Sequence, residues 1–304
     1  MIYNNALEIV GNTPLVRINK LNPNPKVEIL AKLEKYNPSG SVKDRIAIAM
    51  IEDAENRGIL TKDKIIIEAT SGNTGIGLAM ACAIKGYGLT LIMPSCVSKE
   101  RKDIMLAYGA QVILTDAQEG IDGSIRYLQY MIEKDPSKYI HLNQYANHVN
   151  WITHYYTTAE EILKDTNAML NMFIAGMGTT GTICGVAKRL KEVRKNIHIV
   201  GVEPKKDASI WGLKNLEIQT KPPIYNPRVI DEIAYVGENE SYGTARLLAT
   251  EEGIFVGMSS GASMYVAIQK AKEMKTGRIV VLLPDGGEKY LSTGLFTSAC
   301  SSDP

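Results

Sequence analysis

The 304-residue chain carries a formal net charge of +1, with 45% apolar and 22% charged residues, the profile of an ordinary globular protein of one or two domains. Basic and acidic residues are interspersed, so no long-range field is available to attract nucleic acid or an anionic membrane, and a small-molecule partner is expected. The four cysteines (Cys82, Cys96, Cys184, Cys300) form no CxxC pair and the four histidines no ligand cluster, so neither a metal site nor a disulfide framework is expected. No apolar run is long enough to span a bilayer, and MIYNNALEIVGNTP lacks the basic patch and apolar stretch of a signal peptide. A cytoplasmic protein is expected.

In chain order, short β-branched runs predict strands at 27–33, 64–69, 89–94, 111–116, 172–176, 198–204 and 278–284. Helical stretches alternate with them, among them 42–57, 74–85, 98–108 and 180–194, and Gly58, Gly86 and Gly109 stand where helix C-caps belong. The β-α-β alternation predicts an α/β fold with mainly parallel strands. Residues 205–230, with KKD, TKPP and YNPR, read as a long loop, and the terminal SSDP as a frayed end.

Chemistry in parallel sheets gathers where strands run out into helix N-termini, and three loops of that kind stand out. In Asn37-Pro38-Ser39-Gly40-Ser41-Val42-Lys43 a strand is broken by Pro and Gly, Ser41 is placed to cap a helix, and Lys43 falls in its first turn. This loop alone leaves open both a solvated lysine and a Schiff-base lysine, whose amine becomes nucleophilic when its site favours the neutral form. In Thr70-Ser71-Gly72-Asn73-Thr74-Gly75 small and hydroxylated residues suit an anion at a helix N-terminus, or simply a well-capped turn. In Met177-Gly178-Thr179-Thr180-Gly181-Thr182 two glycines and three threonines suit a tetrahedral anion. The run lacks both the Lys-Ser/Thr ending of an ATP-binding loop and the GxGxxG spacing of a dinucleotide site.

Together these loops resemble the cysteine synthase (O-acetylserine sulfhydrylase) family of fold-type II pyridoxal-phosphate (PLP) enzymes. The resemblance extends over nearly the whole chain through Gly11-Asn12-Thr13-Pro14, Glu252-Gly253-Ile254-Phe255, Ser259-Ser260-Gly261-Ala262 and Leu283-Pro284-Asp285…Tyr290-Leu291-Ser292-Thr293-Gly294. It reaches the cystathionine β-synthase core and, more distantly, the serine and threonine dehydratases. It implies a tryptophan synthase β-like fold of two open, mostly parallel twisted sheets flanked by helices. A smaller mobile domain at 42–146 would close over substrate, and 1–41 with 147–304 would form the larger PLP-anchoring domain. It further implies that Lys43 carries PLP and shuttles the α-proton, that Asn73 faces the ring oxygen, and that Gly178, Thr179, Thr180, Gly181 and Thr182 bind the phosphate. Ser259 would face the ring nitrogen, with Ser260 as the neighbouring alternative. Thr70, Ser71, Gly72, Thr74 and Gln144 would hold the substrate carboxylate. The implied partners are an amino acid and sulfide or a thiol, with no metal, in a homodimer.

The implied reaction is β-replacement on a serine derivative through aminoacrylate, forming L-cysteine from O-acetyl-L-serine or O-phospho-L-serine. The same half-reaction on cysteine, releasing sulfide, is the alternative, as is a cystathionine β-synthase-like activity. Where many members have a Gly-Ile-Gly-Ala-Gly stretch, this chain has residues 211–220, beginning Trp-Gly-Leu-Lys-Asn, which resembles the B-type enzymes and those using O-phosphoserine. Lys214 and Glu217 in that run are expected near the substrate's β-substituent. Thiosulfate-accepting B-type enzymes often have Cys where Pro284 stands here, so that route is not expected.

Overall fold

The computed structural model describes residues 1–70 and 72–297. In chain order the elements are β1 (Leu15–Ile18), β2 (Val27–Leu33), α1 (Lys43–Asn56), β3 (Ile65–Ala69), α2 (Asn73–Lys85), β4 (Gly88–Pro94), α3 (Lys99–Ala107), β5 (Gln111–Thr115), α4 (Gly120–Lys134) and β6 (Tyr139–His141). They continue with α5 (Val149–Tyr156), α6 (Thr158–Thr166), β7 (Met172–Gly176), α7 (Gly181–Val193), β8 (His198–Pro204), β9 (Glu232–Val236), α8 (Glu238–Glu252), α9 (Met258–Glu273) and β10 (Gly277–Leu283). A 3-10 helix at Gly287–Thr293 follows.

Among the described residues the strands form two sheets, one ordered β1-β2-β10-β7-β8-β9 and the other β5-β4-β3-β6. Every pairing is parallel except β1 with β2, so the loops that leave the parallel strands gather at one edge of each sheet. The seven predicted strands are present, the largest shift at either end being one residue. The unpredicted strands, β1, β6 and β9, all lie at sheet edges. Pairing on one side only and partial exposure leave them without the dense apolar run that marks a central strand. Central β10 shows the contrast. Ile279, Val281 and Leu283 pack with α8 and α9, while Val280 and Leu282 pack with α6 and α7 on the opposite face. Helices α1, α2 and α3 cover one face of the smaller sheet and α4 reaches the other. No helix among the described residues is long and apolar enough to cross a membrane.

Two tethers fix the chain between the sheets. Val42 donates its backbone N–H to Pro284 O at 2.9 Å, and Ser41 pairs with Asp285 in an isolated antiparallel bridge. The first turn of α1 is thus bound to the end of β10 although the body of α1 packs on the smaller sheet. Behind it lies a buried charge network. Arg45 donates from Nε to Glu34 Oε2 at 2.8 Å and from Nη1 to Glu161 Oε1 at 2.6 Å. Lys32, fully buried, pairs with Glu161 at 2.7 Å and donates to Thr13 O at 2.5 Å. The Gly-Asn-Thr-Pro segment is held through Thr13, whose hydroxyl donates to Glu34 Oε1 at 2.6 Å.

Removing one partner of such a network leaves its counter-charge buried and unpaired, at a cost of about 3–5 kcal/mol. Arg45→Met should lose that much in denaturant unfolding. Burial disfavours the Glu161 carboxylate, but the Arg45 hydrogen bonds and charge, with Lys32, hold its pKa at about 2. A lowered carboxyl pKa gives stability that is complete above the ordinary carboxylate range and is lost as pH falls through about 2. The acid limb of unfolding should therefore move to higher pH in Arg45→Met, as circular dichroism across an acid titration would record.

Candidate active site

The three loops and the chain after β8 surround one cavity of about 340 Å³. Lys43 enters it from the first turn of α1, its own N–H donating to Ser41 Oγ at 3.2 Å, so Ser41 caps this turn through its side chain. Among the described residues Lys43 Nζ has no hydrogen-bond or ion-pair partner. Burial pushes its ammonium down to about 8, against the attraction of the Asp285 and Glu34 carboxylates.

The loop after β3 brings Thr70, Gly72, Asn73 and Thr74 to the cavity wall, beside Gln144. The Thr74 hydroxyl donates to Gln144 Oε1 at 2.6 Å, which leaves the Gln144 amide N–H groups for another acceptor. Ser71 lies outside the described residues. Asn73 donates from Nδ2 to Asp285 Oδ2 at 2.8 Å and accepts at Oδ1 from Lys289 Nζ at 3.0 Å.

Across the cavity the loop after β7 presents Gly178, Thr179, Thr180 and Thr182, while Gly181 opens α7 just behind them. Thr180 adopts φ +67°, and its buried hydroxyl, close to the Cys184 thiol, has no hydrogen-bond partner among the described residues. A Cβ at Gly178 would come within 2.4 Å of Gly212 O, and one at Gly181 within 1.9 Å of Asn150 Oδ1, so only glycine permits these approaches. Asn150 braces the loop, donating from Nδ2 to Thr179 Oγ1 at 3.1 Å and to Gln144 O at 2.7 Å. Burial drives His154 well below its ordinary value, with the charges of Lys43 and Arg45 adding to the effect. It lies neutral against the Thr182 hydroxyl.

Ser259, near the start of α9, lines the cavity, whereas Ser260 is fully buried and donates to Asp285 O at 3.5 Å. The expected long loop is irregular apart from a 3-10 turn at Pro227–Val229, but it is pinned. Lys214 donates its N–H to Met177 O at 2.7 Å, and Leu216 donates to Glu203 Oε2 at 3.0 Å. Lys214 thereby reaches the cavity, its Nζ 4.6 Å from the centre of the Tyr145 ring, with burial lowering its pKa against the pull of Asp122. Glu217 departs from expectation. It is exposed and away from the cavity, paired with Lys206 at 2.8 Å and accepting from the Tyr235 hydroxyl at 2.5 Å. These two outer partners turn it away because Asn215 and Leu216, buried just before it, fix the direction of the chain.

Sequence reasoning did not single out Arg101, Tyr145, Asp285, Lys289 or Tyr290 as functional. Arg101 lies in the charged KERKD run at the start of α3, yet it is buried on the cavity wall with its guanidinium 5.0 Å from the Trp211 ring centre and 4.8 Å from that of Tyr290. No local signal distinguishes it from its neighbours.

An amine kept free of partners, facing a glycine- and threonine-rich anion cradle across a small cavity, defines a site for a phosphorylated carbonyl cofactor. Residues 6–285 match the family described as pyridoxal-phosphate dependent enzyme, and the chain belongs to that family, among its cysteine synthases. It is 47% identical over 299 residues to a cysteine synthase of Aquifex aeolicus, covering 96% of this chain and 91% of the relative. It is 43% identical to cysteine synthase B of Salmonella typhimurium, covering 96% of each. A crystal structure of a hydrogen sulfide-producing enzyme from Fusobacterium nucleatum superposes with a TM-score of 0.91 at 43% identity, covering 95% of this chain and all of that one.

The residues present fit PLP. The under-satisfied Thr180 hydroxyl and the start of α7 could take its phosphate, and Lys43 its carbonyl carbon. In the PLP-free protein the partly buried ammonium of Lys43 is penalised fully below about 8, and the penalty fades toward the ordinary lysine range. Stability from this group should therefore rise with pH across that window. Lys43→Met should abolish the slope and exceed the PLP-free parent in stability below about 8, as paired denaturant titrations would measure.

Proposed function

We propose that this chain is a cysteine synthase, replacing the β-substituent of an O-activated L-serine by sulfide to release L-cysteine. One observation carries the reading: the unpartnered, easily deprotonated Lys43 amine shares a single small cavity with Gly178, Thr179, Thr180 and Thr182 and with Thr70, Gly72, Asn73 and Thr74. The identity to cysteine synthases over nearly the full chain supports it.

Bound PLP supplies the electron sink that acidifies the substrate's α-carbon. Gly178 to Thr182 would hold its phosphate by backbone N–H groups and hydroxyls, and Asn73 and Ser259 would face its ring oxygen and ring nitrogen. A neutral Ser259 hydroxyl does not stabilise a protonated ring nitrogen as a carboxylate would, which suits elimination of a β-substituent. Thr70, Ser71, Gly72, Thr74 and Gln144 receive the amino acid's carboxylate, Gln144 through the amide N–H groups that Thr74 leaves free. Lys43 Nζ takes the α-proton as the O-linked β-substituent leaves with its bonding electron pair, and returns the proton after sulfide has added at the β-carbon. The unit at 42–146 closes over the substrate and excludes water. The working form is a cytoplasmic homodimer.

Borohydride treatment of the yellow holoenzyme should fix the cofactor to Lys43, as peptide mapping would locate. Lys43→Ala should bind PLP reversibly and lose turnover by several orders of magnitude, since nucleophile and proton carrier vanish together. A label on another lysine would overturn the assignment.

Lys214 stands where it can attract an anionic β-substituent. Lys214→Ala should lower kcat/KM for O-phosphoserine about 10- to 150-fold, the equivalent of one charged hydrogen bond of about 1.5–3 kcal/mol, and for O-acetylserine far less. Equal losses on both donors would remove it from substrate selection. The likeness to the hydrogen sulfide-producing enzyme favours a second reading, in which cysteine itself is the donor. Sulfide release from cysteine outpacing cysteine formation in a direct turnover assay would put that reading first.

A further inference from the structure

We propose that Asp285 and Lys289 are positioning residues that fix the sense of the Asn73 side-chain amide, so that Asn73 meets the ring oxygen of PLP as a donor. The inference rests on the reading that Asn73 faces that oxygen, and it concerns residues outside the three loops.

A side-chain amide has two nearly isosteric senses, and its neighbours decide between them. Here the decision is forced. A carboxylate can only accept and an ammonium can only donate. Asn73 Nδ2 lies 2.8 Å from Asp285 Oδ2, and Asn73 Oδ1 lies 3.0 Å from Lys289 Nζ. Turning the amide over would set oxygen against carboxylate and NH₂ against ammonium, two repulsive contacts between groups that have almost no water to relieve them. Asp285 is 0% and Lys289 4% exposed.

Both neighbours are themselves held. Asp285 Oδ2 also accepts from the Tyr290 hydroxyl at 2.6 Å, and Lys289 Nζ also donates to Gly40 O at 3.1 Å. Burial, with the nearby Asp285 charge, keeps the Tyr290 hydroxyl protonated to far above its ordinary value, so it stays a donor to Asp285. The backbone of Asp285 is bridged to Ser41, two residues before the Schiff-base lysine of the proposed mechanism. Asn73, Lys43 and the groups that orient Asn73 are therefore linked through one set of hydrogen bonds. Asp285 Oδ1 is buried without a hydrogen-bond partner among the described residues.

The fixed sense leaves the second N–H of Asn73 Nδ2 available. A hydrogen bond donated to an ionisable oxygen favours its anionic form, so the lock should hold the ring oxygen deprotonated over a wide pH range. An amide free to turn could offer its own oxygen instead, accept a hydrogen bond from the protonated ring oxygen and so favour that form. Neither Asp285 nor Lys289 need touch the cofactor for this to operate, which is why the test reads the cofactor's state and not only turnover.

The experiment is a pH titration of the visible absorption of the holoenzyme and its Asn73→Ala, Asp285→Asn, Lys289→Met and Lys289→Arg variants, with thermal unfolding of each. The parent band should hold steady with pH. Asp285→Asn offers a partner that can donate or accept, and Lys289→Met removes the donor. Both should lose part of the parent band to a second band and show a titration the parent lacks. Lys289→Arg, again donor only, should keep the parent band. Should Asn73→Ala alter the band while Asp285→Asn and Lys289→Met leave it unchanged, the positioning role is overturned and the placement of Asn73 stands. Should Asn73→Ala itself leave the band unchanged, that placement falls and takes the proposal with it. If Asp285→Asn does not fold, the Met and Arg substitutions at 289 decide alone, because only the first removes the donor.

Discussion

The site depends on where one helix begins. α1 belongs by packing to the smaller sheet, yet its first turn is hydrogen-bonded to the end of β10 in the larger one, through Val42 to Pro284 O and the Ser41–Asp285 bridge. Lys43 is the first residue of that helix, so its amine projects where the carboxyl ends of the parallel strands of the two sheets meet. Loose attachment would let a long, flexible lysine reach water, where it would be an ordinary ammonium. Held here, it is desolvated and free of the acids that would neutralise it by pairing.

Glu34 is the instructive neighbour. It is fully buried close enough to raise the lysine's proton affinity, but its oxygens are committed to Arg45, Thr13 and Asn37. Burial opposes its charge, and the Arg45 charge and hydrogen bonds more than offset that, leaving its pKa lowered. The network therefore does two things. It anchors the Gly-Asn-Thr-Pro segment to the start of α1, and it occupies a carboxylate that could otherwise bind the amine. A comparable arrangement operates from the other end of the chain. Ser98 donates to Lys289 O at 3.0 Å, Glu100 accepts from Ser292 N at 2.8 Å, and the Arg101 guanidinium lies against Tyr290. The start of α3, on the smaller sheet, is thus strapped to the segment that follows β10.

Central strands and the loops after them were legible in the sequence because their signals are local: dense apolar runs, then glycine and hydroxyl residues at a helix start. Edge strands carry half of that signal, and β6 has only three residues in which to carry it. Lys43, Asn73 and the run at 178–182 could be read from their own segments together with the family resemblance. Which of Ser259 and Ser260 faces the cavity could not, since adjacent helical residues differ by about 100° in direction and only the packing of α9 sets the phase. Lys214 and Glu217 illustrate the same boundary. Both are charged residues on one loop, but the bond from Lys214 N to Met177 O turns the first inward, and Lys206 with Tyr235 holds the second outside. Arg101, Asp285 and Lys289 acquire meaning only through partners about 110 to 216 residues away in sequence.

The outward turn of Glu217 has an electrostatic consequence. Among the described residues the cavity is lined by Lys43, Arg101 and Lys214 and by no carboxylate. A chain with net charge of only +1 therefore concentrates positive charge in one small cavity, and Coulomb interactions among groups away from bulk water are several-fold stronger than in it. Long-range steering cannot supply that preference, because the surface charges nearly cancel and salt screens them within about 10 Å. Discrimination must act at contact. A phosphorylated cofactor, an amino-acid carboxylate and a hydrosulfide ion all bring negative charge, and such a cavity can admit them in succession without rearranging its own charges. An inward acid at position 217 would oppose each of them, so the two outer hydrogen-bonding partners of Glu217 protect the chemistry of a site they never touch.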